Sequence, residues 1–294
     1  MYELYKNYPQ TPIRNVVIPG THESGSYGIS WISAAEPGER TSYATSKPLV
    51  ATWAKTQFLN VYQQLEHGIR YLDLRIAFDD KQRAVIAHGL VSTSLNTVLK
   101  DIRKFSIAHP KEIILLRYTL SSDYTSSLPD GGTSETSRAT QLITQYFGSQ
   151  ILNFSQDATF NDFWSQNKSI MIFIDSYNGY WPNCYTLHGV ESFLDRHVQG
   201  NIGDMISDTQ LIYTPPTKGF FFVENTYWAS PFLQENSLSK YSTDLRARTL
   251  QMLRGWHSRG YILNVVTTDF FDKIPFVETL LQFNKDKLRQ GLPF

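Results

Sequence analysis

The sequence predicts an α/β protein of the (β/α)8 TIM-barrel type, built as a single domain over 1–294. Three observations carry this. Short continuous apolar runs recur along the whole chain, as in strands buried on both faces of a parallel sheet. Stretches with helical periodicity lie between them. The runs number near eight, with a weak sixth.

The elements follow in order. Val16 to Ile18 is the first run and stops at Pro19-Gly20. Ile69 to Ile76 is the second and Ala84 to Ala87 the third. Ile113 to Tyr118 and Ile170 to Ile174 are the fourth and fifth, and the weak sixth falls near Cys184 to Leu187. Phe220 to Val223 and Ile262 to Val266 complete the set. Helical spacing covers Ala51 to His67, which stops at Gly68, a C-cap residue. It also covers Ser94 to His109, ended by Pro110, then Val190 to Val198, Thr243 to His257 and Pro275 to Leu288. Gly25 to Pro48 reads as a long loop carrying Trp31 and Ile32. The polar Gly/Ser-rich segment of about 121–137 reads as a mobile surface loop, because the barrel pattern resumes after it.

Composition narrows the function. The 294 residues are 41% hydrophobic and 18% charged, so the chain can bury a core and is not disordered. Lys+Arg and Asp+Glu both number 27, and no basic run is present, which argues against a nucleic-acid partner. Cys184 is the only cysteine, so an internal disulfide and a cysteine zinc cage are excluded. No stretch approaches the roughly 18 apolar residues of a membrane span. MYELYKNYPQ has no apolar signal-peptide core. The expectation is a soluble protein with transient contact to a membrane surface; cytoplasm and export both stay open.

In an α/β barrel, chemistry sits where the strands end on their C-terminal side. His22 and Glu23 follow the first run in IPGTHESG, and Asp73 and Arg75 share a face of the second. His88 closes the third, Arg117 and Thr119 share a face of the fourth, Asp175 ends the fifth, and Glu224 and Asp269 end the last two. Two histidines, an arginine and several carboxylates suit attack on a phosphodiester. One imidazole takes a proton from the nucleophile and the other gives one to the leaving group. A guanidinium neutralises the phosphate oxygens, and a carboxylate orients the basic imidazole. His67 and His109, at helix ends, read as structural. Trp31, Ile32, Trp181 and Trp228 are candidates for an interfacial face, whereas Trp53 reads as core.

IPGTHESG, QLEHGIRYLDLRIA, the AHG closing the third run and HPKEIILL resemble the X domain of phosphatidylinositol-specific phospholipase C. The chain is most similar to the X-domain-only phospholipase C-like proteins, and TTDFFDKIPFVETLLQFN resembles the family's last strand and helix. The resemblance implies a distorted barrel and a peripheral enzyme of lipid degradation, a phosphoric diester hydrolase or lyase. It implies cleavage of a phosphoinositide or related phospholipid to diacylglycerol and a (cyclic) inositol phosphate.

Residue by residue, the resemblance makes His22 the general base for the inositol 2-hydroxyl and Asp269 its orienting carboxylate. His88 becomes the general acid for the diacylglycerol oxygen. Arg75 stands where metal-dependent relatives place a calcium-binding carboxylate. An arginine there is the pattern of the metal-independent bacterial enzymes, which implies no metal and no cofactor. Asp73 would orient Arg75. Glu23 stands where those enzymes have Asp, with an arm long enough to reach His88 or Arg75. Arg117, Asp175, Tyr177 and Glu224 are candidates for the headgroup pocket. Asp175 lies near the position of an inositol-binding arginine in the bacterial enzymes, so it suits ring hydroxyls rather than ring phosphates.

Two other classes fit the same residues. Glu23, Asp73 and Asp269 are enough carboxylates for one divalent ion in a metal-dependent phosphodiesterase. A shell with a degenerate site would be a non-catalytic headgroup-binding module.

Overall fold

The computed structural model describes residues 1–38, 46–121, 128–129, 133–153, 155, 157–174, 184–186, 192–193, 222–225, 249–260 and 263–291. Its strands are β1 (Ile18–Thr21), β2 (Tyr71–Phe78), β3 (Ala84–His88), β4 (Leu90–Ser94) and β5 (Ile114–Leu120). They continue with β6 (Ile170–Ile174), β7 (Cys184–Thr186), β8 (Ser192–Phe193), β9 (Phe222–Asn225) and β10 (Val265–Thr268). Eight of them run parallel in the order β7-β6-β5-β2-β1-β10-β9-β8, a curled sheet of TIM-barrel type. The helices are α1 (Tyr2–Tyr5), α2 (Lys47–Ala54), α3 (Val61–Glu66), α4 (Leu95–Ala108) and α5 (Thr133–Phe147). They end with α6 (Phe160–Ser165), α7 (249–258) and α8 (Phe276–Gln290).

Strand alternation explains both the core and the site. Val17, Leu72, Leu74, Ile114, Leu116, Ile172 and Val266 face outward and pack with α4, α5, α7 and α8 in one cluster. The opposite parity, Ile18, Tyr71, Ile113, Leu115, Met171, Phe173 and Val265, fills the barrel interior. Tyr5 and Phe160 stack below it with ring centroids 4.7 Å apart, closing the floor with α1 and α6. Followed toward the strand ends, the inward rows turn polar: Tyr71, Asp73, Arg75; Leu115, Arg117, Thr119; Val265, Thr267, Asp269.

The expected barrel holds, with changes in detail. Ala84–His88 is not a barrel strand: β3 runs antiparallel to β2 and to β4, a hairpin off the parallel path. The eighth parallel strand is instead β8, inside the stretch 190–198 expected to be helical. Pro19 and Gly20 lie within β1 rather than ending it, because that segment is paired with β10 throughout. The expected helix 51–67 is two helices, α2 and α3, with Lys55–Asn60 between them. Asn60 and Gln63 form a capping box that starts α3 anew. The polar loop expected to reach 137 gives way to α5 at Thr133, and 122–127 and 130–132 within it lie outside the described residues. Ser94 caps α4 by accepting from the Thr97 N–H at 3.1 Å, and that helix ends before Pro110 as expected.

Asn284 on α8 ties the barrel floor together. Its Oδ1 accepts from Tyr5 Oη and Val17 N, both at 2.9 Å, and its Nδ2 donates to Val17 O at 2.7 Å. Asn284→Leu keeps the volume but strands the Val17 peptide groups. At about 1–3 kcal/mol for each stranded buried group, a loss of roughly 2–4 kcal/mol is expected in urea unfolding.

Candidate active site

The loop IPGTHESG leaves β1 and turns across the ends of β2 and β10. Thr21 Oγ1 donates to Gln64 Oε1 at 2.7 Å, and Gln64 Nε2 donates to Ser24 O at 2.7 Å. Ser24 N donates to Asp73 O at 2.8 Å, while Asp73 N donates to Ser24 Oγ at 2.9 Å. Glu23 adopts the left-handed region at φ 44°, and its N–H donates to Asp73 Oδ2 at 3.2 Å. The segment between α2 and α3 supplies the remaining donors. Thr56 Oγ1 donates to His22 O at 3.1 Å, and Gln57 Nε2 donates to His22 O and Thr268 O, both at 3.0 Å. This is why the helix breaks there: a buried turn needs its carbonyls satisfied.

These supports gather the sequence-predicted residues of β1, β2, β3, β5 and β10 at one mouth. His22 Nδ1 lies 2.9 Å from Asp269 Oδ1, and its Nε2 lies 3.7 Å from Glu23 Oε1. The other Glu23 oxygen, Oε2, pairs with His88 Nδ1, which also approaches Ala54 O at 2.9 Å. Arg75 Nε and Nη2 donate to Asp73 Oδ2 at 3.4 Å, and Arg117 Nε stands 4.0 Å from Asp73 Oδ1. Asp269 is fully buried, whereas His88 is 42% exposed at the mouth. His88 reaches the rim because β3 folds back along β2, not because it ends a barrel strand. Asp175 and Tyr177 lie outside the described residues, as do Trp181 and Trp228. Glu224 is in β9, in register with Thr267.

The charges are strongly coupled. Burial disfavours the His22 imidazolium, but Glu23, Asp269 and Asp73 outweigh it and raise its pKa to about 9. Burial likewise opposes the charged form of His88, and Glu23 overcomes it by charge and hydrogen bond, raising that pKa. Burial works against ionised Glu23, yet His88, His22 and Arg75 hold it below the usual carboxylate range. For Asp73, burial is outweighed by Arg75, Arg117 and His22, and the pKa falls to about 2. Each carboxylate thus already faces a cation. Among the described residues no group of three ligating side chains is arranged for a metal ion.

Sequence reasoning missed Thr56, Gln57 and Gln64, the polar groups that hold the turn after β1. The Asn60/Gln63 capping pattern was the one local signal that the helix containing Thr56 and Gln57 was broken.

Residues 40–170 match the family described as phosphatidylinositol-specific phospholipase C, X domain. Over that stretch, a little under half of its length, the chain is similar to a PI-PLC X domain. The match begins after His22 and Glu23, which the fold brings to Asp73 and His88 within the matched region. A PI-PLC X-box domain-containing protein of Dictyostelium discoideum is 36% identical over 115 residues, 39% of this chain and 15% of that protein. This chain therefore spans a minor part of that relative's length. PI-PLC X domain-containing protein 2 of Mus musculus is 24% identical over 97% of this chain and 86% of its own length. A solved structure of phosphatidylinositol-specific phospholipase C from S. aureus covers 96% of both chains, with a TM-score of 0.67 and 16% identity. That likeness is one of fold. Among the described residues, no helix is long and apolar enough to cross a membrane.

The ion pairs of the site make the stability of the fold depend on pH. The folded-state pKa of His22, about 9, lies above its ordinary 6.5, so its contribution is complete below pH 6.5 and lost as pH rises through about 9. The stability gap between wild type and His22→Gln, read from urea midpoints, is expected to be widest near pH 6 and to narrow toward pH 9.

Proposed function

We propose that the protein is a phosphodiesterase of the phosphatidylinositol-specific phospholipase C type, working by metal-independent acid–base chemistry between His22 and His88. The observation that carries this reading is the carboxylate-bridged pair of imidazoles, with Asp269 behind one of them and Arg75 alongside. The substrate is a phosphoinositide or related phospholipid at a membrane or micelle surface. Trp31 and Ile32, 66% and 72% exposed on the loop after the first histidine, support contact with such a surface.

His22 Nδ1 is held by Asp269, which leaves Nε2 to take the proton of the inositol 2-hydroxyl. The hydroxyl oxygen forms the new P–O bond as the glycerol P–O bond breaks. His88 Nδ1 is held by Glu23 and Ala54 O, which leaves Nε2 to protonate the departing oxygen. The products are diacylglycerol and a cyclic inositol phosphate. Arg75 neutralises charge on the non-bridging oxygens, with Asp73 fixing its guanidinium. With His22 neutral as the base and His88 charged as the acid, three cations stand against three carboxylates, and Arg75 is the cation assigned to the phosphodiester anion. Arg75 and the paired carboxylates favour this reading over a metal-dependent one.

Phosphorus NMR with phosphatidylinositol micelles in EDTA tests the reading. A cyclic phosphate signal is expected from wild type, and His22→Ala and His88→Ala are expected to lose at least about 10³ in rate with the fold intact. Near-normal turnover in both variants would remove the mechanism. The pH profile provides a second check. Glu23 raises the pKa of both imidazoles, so Glu23→Gln is expected to move both limbs of the kcat/KM profile to lower pH.

A further inference from the structure

Glu36 lies outside the motifs and outside the acid–base set, yet it is 2% exposed. Its Oε2 accepts the Gly89 N–H at 2.6 Å, and its own N–H donates to Gly89 O at 3.0 Å. Side chain and backbone of one residue thus grip the same partner. Gly89 has φ +64° and sits between His88 and Leu90, which pair across the hairpin. Around it the segment 34–36 runs as a strap along the turn. Val91 N donates to Ala34 O at 2.9 Å, and Ala35 bridges Leu90. Ile29, Val50, Ala54 and Leu90 form a small apolar cluster beneath the strap. Ala54 is also the residue whose carbonyl meets His88 Nδ1.

We propose that Glu36 is a positioning residue for His88, acting through the Gly89 peptide to hold the hairpin turn at the mouth of the site. A buried carboxylate on a backbone N–H is a strong, directional hold. The β3–β4 hairpin lies off the parallel barrel, so β2 is the one barrel strand it pairs with among the described residues. The strap supplies a second fixed point, one residue from the imidazole. Without it, His88 Nδ1 loses its register with Glu23 and Ala54, and Nε2 loses its aim at the leaving oxygen. This role rests on His88 acting as the acid described above.

The test separates leaving-group protonation from general damage. Glu36→Met removes the acceptor at similar volume, and Glu36→Gln keeps an acceptor oxygen. Two inositol phosphodiesters with the same headgroup are compared, one with diacylglycerol and one with p-nitrophenolate as leaving group. Glu36→Met is expected to lose about 10-fold or more on the lipid and less than about 3-fold on the p-nitrophenyl ester, which needs little protonation. Glu36→Gln is expected to restore most of the lipid rate. In parallel, NMR titration of the His88 imidazole is expected to show its pKa falling toward 6.5 in Glu36→Met. Equal losses on both substrates, or no loss on either, would overturn the role. If wild type cleaves neither ester, the phosphodiesterase reading fails by itself. The titration then decides alone: a fall supports the positioning role, and an unchanged His88 pKa overturns it. Should Glu36→Met not fold, Glu36→Ala serves for the same comparisons.

Discussion

Asp73 is almost fully buried, and its carboxylate accepts the Glu23 N–H while facing the guanidinium groups of Arg75 and Arg117. Its backbone exchanges hydrogen bonds with Ser24. One residue of β2 therefore sets the turn after β1, the cation beside the site and the charge on β5. A buried carboxylate is tolerable only when it is fully paired, and removing a partner would leave an uncompensated charge. The histidine-bearing turn and the arginine are thus tied to the same atoms.

Around that centre the fold alternates stiffness and reach. The inward rows of the barrel place Asp73, Arg75, Arg117 and Asp269, and paired neighbouring strands hold the backbone under or just before each. His22 and Glu23 lie one step beyond β1, on a turn whose carbonyls are satisfied by Thr56, Gln57 and Gln64. His88 comes from outside the barrel on a hairpin, and its side chain is more exposed than those of His22, Arg75 and Arg117. That distribution suits the roles proposed: a fixed base and guanidinium inside, and an acid at the mouth where a lipid alkoxide departs.

The choice of Glu rather than Asp at position 23 has a geometric consequence. With the backbone at φ 44° the side chain spans both imidazoles, one oxygen toward each. The bridge couples the protonation of the two histidines through a single carboxylate, which stabilises the positive form of both. Such coupling belongs to the pair rather than to either histidine.

The barrel class, and the residues that gather at its mouth, were legible from the chain because their signals are local. Apolar runs of strand length are short, and the spacing Asp73-x-Arg75 places both residues on one strand face whatever surrounds them. The ends of α4 were legible too, because Ser94 and Pro110 act within one turn of chain. Other features arise only when distant segments meet. Ala84–His88 belongs to a hairpin because strand direction depends on the partner and not on the run's composition. The break between α2 and α3 answers the carbonyls of a distant turn, whose need for donors outweighs helical periodicity. Glu36 was hidden for the same reason: its partner is a backbone N–H 53 residues away, and a backbone amide leaves no mark on composition or spacing.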